Sequence, residues 1–570
     1  MASLITRLYS NFRGLDLRGE EINIVRSPDA LNVWKDYKET ESIRTRPELE
    51  LKESFDNTVW GVFFYAVGNK EMMLVHCGTK LYKIENGVRT ELKKIVDGKE
   101  VDLELNPIKS QSFIYNNMWY FKDGINYLEY DGETIAEVVG YVPTTSIGRR
   151  PSGGGTQKED INLLSGERIN TFLADGIETE YYLDATDIDS KRMPEVYVND
   201  KKLDTTEYSF DSALGVIRFN TAPPIPLTDG QDNVSVRFSK KVPGYRERIN
   251  HCTMLQVFDN RVFFSGNPDY PNTIFHCSLN NPRYCSDLDY YNEGLDLAKV
   301  TGLVAGNNAL WVFKEPSQAN TTVFYHNPTI DAEYGKIYPS THSSISTGCI
   351  GKAINFNDDI AFFSERGMEA INGDVTTEQV VAHRSSLVDR LMIAEEDYKD
   401  MVLEEYEGYL FVFIGNKVYL ADSRAMFQNE NHYEYEWFKW DLSEKIISTI
   451  VNKGVLYLGT ETGIYTLTDY NASVPSYWTT PLDKFDYPQM QKTTNKKGCV
   501  VEAKGDLTVS AKTNGNDWEE ISTHENVTDY FVVKRKFKKF KDIQLKFSSA
   551  TRFSLEQATL ECFVGGYIKK

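Results

Sequence analysis

The sequence predicts an all-β protein with a β-propeller-like core, an inserted small β-sandwich domain and a C-terminal β-sandwich. Aromatic residues make up 13% of the 570 residues, with 34 Tyr and 30 Phe, and their flat rings fit the half-buried faces of sheets. Short apolar stretches alternate with Asn-Gly, Asp-Gly and Asn-Asn pairs, which accept the positive φ of tight hairpin turns. Similar units return at intervals of roughly 40–50 residues, as propeller blades do. A string of unrelated antiparallel sheets is the alternative.

Residues 1–55 are predicted to form an extended N-terminal arm. They are polar and carry turn formers such as Asp29 and Asn32, while Pro28 disfavours helix at the residue before it. A segment of this kind cannot build a core alone, so we expect it to lie along another surface, in this chain or in a neighbour. A short helix is expected near residues 47–53 and another around residues 385–401.

Residues 56–151 and 246–475 are predicted to hold the propeller blades. In the first part, residues 62–67, 73–77 and 80–84 are expected to be strands because they are apolar and end at turn-forming Gly and Asn residues. The pattern returns at residues 112–130. Later units are predicted at residues 255–266, 304–313, 353–368, 406–420 and 453–467.

Two segments break the blade rhythm and predict additional domains. Residues 152–245 begin at Ser152-Gly153-Gly154-Gly155 and then alternate apolar and polar residues between Pro and Gly boundaries, which predicts an inserted β-domain. Residues 476–570 are predicted to form the C-terminal β-sandwich. Its strands are expected at residues 507–512, 530–536, 543–547 and 558–563.

Charge and cysteine usage narrow the functional classes. The formal net charge of −20 disfavours non-specific nucleic acid binding; it fits solubility alone or a surface past which DNA slides. Seven cysteines without regular spacing predict free thiols in a reducing cytosol. The longest apolar run, residues 59–67, is about half the ~20 residues that span a bilayer. The first residues lack the apolar region of a secretory signal. The sequence therefore predicts neither a transmembrane helix nor a secretory signal.

No catalytic, cofactor-binding or metal-binding residue is predicted. The sequence contains no Gly-Xaa-Ser-Xaa-Gly elbow, P-loop, His-Glu-Xaa-Xaa-His or Cys-Xaa-Xaa-Cys motif. The densest group of zinc-type ligands is His251, Cys252, His276, Cys277 and Cys285. Zinc ligands normally pair on turns at short spacing, whereas neighbours in a strand point to opposite faces. Buried thiols and hydrogen-bonded imidazoles are therefore the favoured interpretation.

Two groups of residues offer the carboxylate and amide oxygens that calcium binds. They are Asp184, Asp187 and Asp189, and Asp287, Asp289 and Asn292. Neither has the central Gly and closing Glu of an EF-hand loop, so surface turns are the favoured interpretation.

Glycoside hydrolysis is the enzymatic alternative, because propellers often carry it and it needs only two carboxylates. The 83 acidic residues give no basis for choosing a pair. Residues 513–518, Thr-Asn-Gly-Asn-Asp-Trp, are similar to the turn motif of sialidase propellers, but the motif occurs once with its Asp out of order. A hairpin tip is predicted there.

Two further segments have competing interpretations. Residues 534–541 hold six Lys and Arg residues interleaved with Phe537 and Phe540, a pattern that suits single-stranded nucleic acid. In a strand the charges would divide between two faces, so a solvated strand or a contact with an acidic subunit is favoured. Residues 437–440, Trp-Phe-Lys-Trp, are expected in a buried blade strand, with interface anchors as the alternative.

Several phrases spread over most of the chain carry a family resemblance. They are Phe12-Arg13-Gly14, Ser27-Pro28-Asp29-Ala30-Leu31-Asn32-Val33-Trp34, Arg44-Thr45-Arg46-Pro47, Val142-Pro143-Thr144-Thr145, Gly153-Gly154-Gly155, Ile161-Asn162-Leu163-Leu164, Asn260-Arg261-Val262-Phe263-Phe264-Ser265-Gly266-Asn267-Pro268, Val312-Phe313-Lys314-Glu315, Tyr477-Trp478-Thr479-Thr480-Pro481 and Phe540-Lys541-Asp542-Ile543-Gln544-Leu545. Together they resemble the tail-nozzle proteins of tailed bacteriophages, also called tail tubular protein B-like, and related stabilisation proteins. Residues 208–224 are similar to small β-domains that decorate phage tail proteins.

The resemblance implies a structural protein of the virion neck or tail, made in the host cytoplasm. It implies a propeller core with added β-domains, assembled as a homo-oligomeric ring beneath the portal and adaptor, through which DNA passes without sequence-specific binding. The family supplies no catalytic residues, and no cofactor is expected. A receptor or carbohydrate-binding tail protein and a polysaccharide-degrading propeller are the alternatives.

Overall fold

The structure is a computed structural model that describes residues 3–19, 22–37, 42–68, 70–318, 321–332, 335–372, 380–429, 432–469 and 473–567. Over these residues its regular secondary structure is almost entirely strand, with two short α-helices and one 3₁₀ helix. The chain divides into two compact units. Unit 1 comprises Met1–Phe64, Val75–Gly78 and Ser343–Lys570, and unit 2 comprises Tyr65–Leu74 and Thr79–His342. The all-β prediction is confirmed.

The chain begins with strands that are later completed by distant partners, followed by the first blade-like sheets. The strands are β1 (Ser3–Tyr9), β2 (Ala30–Leu31), β3 (Val33–Lys35), β4 (Ile43–Thr45), β5 (Glu48–Ser54), β6 (Val59–Val67), β7 (Lys70–Cys77), β8 (Lys80–Glu85), β9 (Val88–Glu91), β10 (Lys94–Val96), β11 (Lys99–Val101), β12 (Gln111–Tyr115), β13 (Met118–Lys122), β14 (Tyr127–Tyr130) and β15 (Ile135–Glu137). The sheet β6-β7-β8-β9 comes first. The antiparallel sheet β12-β13-β14-β15 follows, extended by the β10-β11 hairpin beside β15.

The inserted domain is a sandwich of two sheets, as predicted. Its strands are β16 (Thr144–Arg149), β17 (Thr156–Gln157), β18 (Glu167–Phe172), β19 (Glu180–Tyr182), β20 (Glu195–Val198), β21 (Lys201–Lys202), β22 (Tyr208–Asp211), β23 (Val216–Phe219) and β24 (Val234–Ser239). The sheets β17-β16-β18-β24-β20-β21 and β19-β23-β22 share one core, which includes Phe172, Val196 and Val236 from the first and Tyr181 and Ile217 from the second. Strand β16 lies before the expected start at residue 152.

Further blade-like sheets occupy residues 254–468. Their elements are α1 (Tyr245–Asn250), β25 (Met254–Phe258), β26 (Arg261–Ser265), β27 (Thr273–His276), β28 (Tyr290–Asn292), β29 (Val300–Gly306), β30 (Ala309–Lys314), β31 (Val323–His326), β32 (Thr329–Asp331), β33 (Gly335–Ile337), β34 (Ser340–His342), β35 (Ala353–Phe356), β36 (Asp359–Ser364), β37 (Gly367–Asn372), β38 (Val380–His383), α2 (Asp389–Met392), the 3₁₀ helix Tyr398–Asp400, β39 (Val402–Tyr406), β40 (Tyr409–Ile414), β41 (Lys417–Asn429), β42 (His432–Asp441), β43 (Ser448–Asn452), β44 (Val455–Gly459) and β45 (Gly463–Thr468). The four-stranded sheets are β25-β26-β27-β28, β29-β30-β31-β34, β35-β36-β37-β38, β39-β40-β41-β42 and β43-β44-β45-β5. This succession of four-stranded antiparallel sheets is the propeller-like core.

The hairpins inside these sheets turn where the sequence predicts, because Asn and Asp supply positive φ at both central positions. Such turns match the right-handed twist of the flanking strands. Four turns of these sheets have Asn or Asp at both central positions, namely Asn116-Asn117 (φ 48° and 58°), Asp259-Asn260 (48° and 58°), Asn307-Asn308 (51° and 59°) and Asn357-Asp358 (52° and 62°).

The helix expected near residues 47–53 is wrong, because those residues lie in strand β5. The sequence Glu-Leu-Glu-Leu alternates with the period of a strand, and β5 fills the fourth position of the sheet formed by β43, β44 and β45. Around residues 385–401 only α2 and the short 3₁₀ helix form. Both differences leave the chain with less helix than predicted.

The C-terminal sandwich incorporates the N-terminal arm. Its remaining strands are β46 (Ser476–Thr479), β47 (Met490–Thr513), β48 (Glu519–Val527), β49 (Tyr530–Val533), β50 (Ile543–Ser549) and β51 (Phe553–Tyr567). They join β1–β4 in the strand order β2-β46-β50-β47-β51-β4-β3, with β1 on β51 and with β48 and β49 on β47. The arm therefore lies on this chain, in unit 1, and both ends of the described chain share one sheet.

Candidate functional site: the terminal junction

Five segments that lie far apart in the sequence meet in unit 1, and we call this place the terminal junction. It consists of residues 12–14, 27–34, 44–46, 436–441 and 476–480. Strand β2 pairs with β46, so that Ala30 faces Trp478 across the ladder, and the backbone N–H of Leu15 donates to Trp437 O at 2.7 Å. The N-terminal arm is thereby fixed to a blade strand and to the C-terminal sandwich.

A fully buried carboxylate anchors the arm. Glu436 in β42 is 0% exposed, and the Arg26 guanidinium grips it with Nε donating to Oε2 at 3.0 Å and Nη2 to Oε1 at 2.7 Å. Arg13 Nη1 donates to Oε1 at 2.8 Å. Two-pronged charged hydrogen bonds of this kind fix orientation as well as supplying energy. Glu436 therefore ties two points of the arm to one blade.

Four buried indole rings belong to the same core cluster of unit 1. Trp437, Trp440 and Trp478 are at most 1% exposed and Trp34 is 3% exposed. The Trp440 indole N–H donates to Val33 O at 3.2 Å and the Trp478 indole N–H to Arg13 O at 3.1 Å. Phe12 meets Trp478 edge-on with ring centroids 4.6 Å apart. Buried aromatic pairs add to the energy of burial, and residues 437–440 are buried strand residues rather than exposed interface anchors.

Asn32 closes the junction through its side-chain amide. Its backbone has φ 56°, and its Oδ1 accepts from Arg46 Nε at 2.9 Å and from the backbone N–H of Asp441 at 2.8 Å. Its Nδ2 donates to Pro475 O at 2.9 Å. Burial lowers the pKa of Arg46 to about 10, although Glu48 and Asp441 act in the opposite direction. Each of these groups is satisfied within the unit, so the junction binds the chain to itself.

Sequence reasoning missed Glu436 as a key residue. The alternation Glu434-Tyr435-Glu436-Trp437 puts the carboxylates on the strand face opposite the aromatic rings. This is the pattern of exposed carboxylates, so it gives no signal that Glu436 is buried. Glu434 is buried in the same way and accepts from the backbone N–H of Ser386 at 2.9 Å. The partner cations lie hundreds of residues away and cannot be identified from spacing.

Unit 2 contains a polar cleft of about 450 Å³ beside the inserted domain. Its lining includes Thr145, Asp160, Arg168, Asp184 and Asp287. Thr145 Oγ1 donates to Asp184 Oδ2 at 2.5 Å, and Arg168 Nη1 lies 3.7 Å from Asp184 Oδ1. Burial, with the nearby Asp160 carboxylate, raises the pKa of Asp287. The cleft therefore combines arginine and carboxylate side chains.

The residues considered for zinc lie mainly in the core of unit 2. Cys252, Cys277 and Cys285 belong to one buried cluster, and burial raises the pKa of both Cys252 and Cys277 to about 12. Burial also lowers the pKa of His276 to about 4, while His276 Nδ1 lies 3.0 Å from the carbonyl oxygen of Cys277. Among the described residues, no group of His, Cys, Asp and Glu could hold a metal ion.

Of the residues considered for calcium, Asp187 and Asp189 lie in the loop between β19 and β20, whereas Asn292 is the last residue of strand β28, which corrects the turn expected there. Asp189 Oδ1 accepts from the backbone N–H of Lys191 at 3.0 Å, which closes a turn. Asp184 and Asp287 both line the cleft. Residues 513–518 form the hairpin tip between β47 and β48, as predicted, with positive φ at Asn514 (55°) and Gly515 (73°).

The basic run is a loop and not a strand, which corrects the strand predicted to end at residue 536. Strand β49 ends at Val533, and residues 534–541 lie between β49 and β50. Lys534, Arg535 and Lys536 are exposed, whereas Phe540 is 1% exposed. The charges therefore do not divide between the two faces of a sheet.

His383 gives unit 1 a pH dependence that can be measured. Its Nε2 lies 2.6 Å from Asp389 Oδ2 and its Nδ1 lies 3.4 Å from Glu369 Oε2. Burial lowers the pKa of His383, but the two carboxylates outweigh it and raise the pKa from 6.5 to about 10. Because the folded pKa lies above the unfolded one, the stabilisation is complete below pH 6.5 and is lost as the pH rises toward 10.

We expect His383→Asn to lower the free energy of unfolding by about 3 kcal/mol near pH 6 and by much less near pH 10. Urea titrations of wild type and variant across this range measure the difference. His342→Asn, at an exposed position, is the control and should change the free energy of unfolding little. A His383→Asn difference that stays constant from pH 6 to 10 would contradict the assignment.

The sequence matches no family model and no curated protein sequence. Solved structures similar to this chain include BamB from Moraxella catarrhalis, at 10% identity and a TM-score of 0.34, covering 78% of this chain and 95% of that one. A computationally designed protein, Ika8, matches at 9% identity and TM-score 0.30, covering 74% and 99%. An exo-β-1,3-galactanase from Phanerochaete chrysosporium matches at 8% identity and TM-score 0.22, covering 93% and 100%. With TM-scores this low, none of them bears on the function of this chain.

Within the described residues, no helix is long and apolar enough to cross a membrane.

Proposed function

We propose that this chain is a structural component of a bacteriophage neck or tail, which forms a homo-oligomeric ring in the path of the ejected DNA. The terminal junction is the observation that carries the proposal. The phrases of residues 12–14, 27–34, 44–47 and 477–481, which carry the resemblance to tail-nozzle proteins, are the segments that meet there. A fold that buries these phrases against one another accounts for their occurrence together in one chain.

The proposed mechanism is mechanical. Strand β1 pairs with β51 over seven residues, from Ser3 opposite Val564 to Tyr9 opposite Ala558, so both ends of the described chain are held in one sheet. The Arg26–Glu436 pair and the buried indoles fix that sheet to the blade containing β42. In a conduit under load, this arrangement would keep the C-terminal sandwich from separating from the blades.

Charge supports the passage of DNA. The formal net charge of −20 repels phosphates, and repulsion keeps a polyanion from binding along a wall that it must pass. The proposal needs neither a catalytic residue nor a cofactor, and it places the protein in the virion with the portal, the adaptor and other tail proteins as neighbours.

Glycan binding or hydrolysis is a second candidate function because of the cleft in unit 2. Asp160 and Asp287 line that cleft, and the raised pKa of Asp287 suits a general acid, which glycosidases require. This function would replace the mechanical one with chemistry at the inserted domain.

Two assays on the same purified chain separate these functions. Sedimentation velocity should show a discrete species of several times the mass of one chain, and reducing-sugar release from host-type polysaccharides should equal that of a buffer blank. The Asp287→Asn variant is the control: the structural proposal expects unchanged assembly and no effect on sugar release. Sugar release that Asp287→Asn abolishes, from a chain that stays monomeric, would favour the second candidate.

A further inference from the structure

Two surfaces of opposite charge lie next to each other on the C-terminal sandwich of unit 1. We call residues 517–529 the acidic edge and residues 534–541 the basic loop. The acidic edge carries Asp517, Glu519, Glu520, Glu525 and Asp529 and contains no Lys or Arg. The basic loop carries Lys534, Arg535, Lys536, Lys538, Lys539 and Lys541 and contains no Asp or Glu.

The acidic edge is open to solvent. Its strand β48 is hydrogen-bonded to β47 alone among the described strands, and all five of its carboxylate residues are exposed. Charges along an edge prevent unselective strand pairing. Two aromatic residues flank the edge, Trp518 at 40% exposure and Tyr530 at 66%, and such residues are enriched at protein interfaces. The edge therefore has the composition of a selective contact surface.

The basic loop is held in a fixed shape. Phe540 is buried, with its ring centroid 6.3 Å from that of Phe485, and its backbone exchanges hydrogen bonds of 2.8 and 3.1 Å with Lys492. The backbone N–H of Phe537 donates to Thr494 Oγ1 at 2.8 Å. A loop ordered in advance loses less conformational entropy when it binds.

The cations of the loop are largely uncompensated. Arg535 pairs with Glu519 of the acidic edge, which places the two surfaces side by side. Among the described residues, none of the loop's five lysines forms an ion pair, and all five are exposed; they are Lys534, Lys536, Lys538, Lys539 and Lys541. The loop therefore has positive charge that can pair with a negatively charged partner.

We propose that this partner is a second copy of the chain, whose acidic edge receives the basic loop. The acidic edge beside the loop would repel the phosphates of approaching DNA, whereas a second copy brings both signs of charge in complementary places. A head-to-tail contact of this kind, in which the loop of one copy meets the edge of the next, builds a ring when the rotation between copies closes. The inference rests on the proposed function, because it names the surface through which the copies associate.

Charge reversal on either surface should weaken association. The loop-reversed variant carries Lys534→Glu, Lys536→Glu and Lys538→Glu. The edge-reversed variant carries Asp517→Lys, Glu520→Lys and Glu525→Lys. All six positions are exposed, so both variants should unfold near the wild-type temperature. In about 50 mM NaCl the association constant of each variant should be lower than that of the wild type by a factor of roughly ten or more. About 500 mM NaCl should lower the association constant of the wild type itself.

Mixing the two variants provides the decisive test. The loop-reversed chain keeps the acidic edge, but its loop, with three Glu against Arg535, Lys539 and Lys541, carries no net charge. The edge-reversed chain keeps the basic loop, but its edge, with three Lys against Glu519 and Asp529, is weakly positive. Each chain therefore fails alone, whereas the loop of the edge-reversed chain still fits the edge of the loop-reversed chain. An equimolar mixture should restore this one contact and form pairs of one chain of each kind, and native mass spectrometry with one variant isotope-labelled reads that composition. A chain with all six substitutions lacks both surfaces and should not associate.

The matched control reverses three exposed lysines elsewhere in unit 1, with Lys52→Glu, Lys399→Glu and Lys453→Glu. It changes the net charge equally and should associate as wild type does. Association that survives loop reversal, or that mixing fails to restore, overturns the contact. So does a loop-reversed chain that loses retention of duplex DNA while its association is unchanged. A wild-type chain that stays monomeric contradicts the ring as well, whereas rings indifferent to reversal contradict this contact alone.

Discussion

Replacing Arg26 with methionine is expected to lower the free energy of unfolding of unit 1 by about 3 kcal/mol. The substitution leaves the Glu436 carboxylate, which is fully buried, with Arg13 as its remaining cation, and Arg13 is 37% exposed. Removing one partner of a buried ion pair leaves charge without compensation in a medium that solvates it poorly. Urea denaturation followed by tryptophan fluorescence measures the loss, because Trp437 follows Glu436 in β42 and the Trp478 indole donates to Arg13 O.

Two further variants serve as controls for Arg26→Met. Lys52→Met breaks an exposed ion pair with Glu50 at 2.7 Å, and it should change stability by less than about 1 kcal/mol. The double variant Arg26→Met/Glu436→Leu removes both charges and should be more stable than Arg26→Met alone. If Arg26→Met and Lys52→Met have equal effects, the buried pair does not hold the arm.

Gly14→Ala is expected to cost about 3 kcal/mol and to release the arm from the blade. A Cβ atom at this position would lie 1.9 Å from Trp437 O and 2.6 Å from Trp437 C. Both are backbone atoms of a buried strand that cannot move aside, so the arm must shift and the hydrogen bond from Leu15 N to Trp437 O must break. Trypsin should then cleave at Arg13 and Arg18 much faster than in wild type.

Gly19→Ala is the matched control for Gly14→Ala. Nothing lies within 4 Å of a Cβ built at Gly19, although its φ of +82° disfavours alanine. The strain should cost about 1 kcal/mol without freeing the arm. Equal rates of cleavage in the two variants would show that close packing against Trp437 does not position residues 12–14.

The blade hairpins could be predicted from the sequence because their information is local. Asn116-Asn117 and Asn307-Asn308 take positive φ at both positions, and a turn of this type sets the register of the two strands beside it. The inserted sandwich was predicted for a similar reason, since alternation at residues 216–219 and 234–238 assigns one face of each strand to the core.

The terminal junction could not be predicted because its partners are distant in the chain. The Glu-Leu repeat of strand β5 is locally compatible with a helix or a strand, and its pairing with β45 selects the strand. Arg26 and Glu436 are 410 positions apart, and nothing in their spacing joins them. The strand predicted at residues 530–536 ends at Val533, and buried Phe540 anchors the basic loop that follows.

Negative-stain electron microscopy of the purified full-length chain tests the central claim most directly. If the chain forms the proposed ring, class averages will show closed rings with a central hole. The same preparation will release no reducing sugar. Images of single particles at every concentration and at low salt, with no ring and no central hole, would contradict the proposed ring.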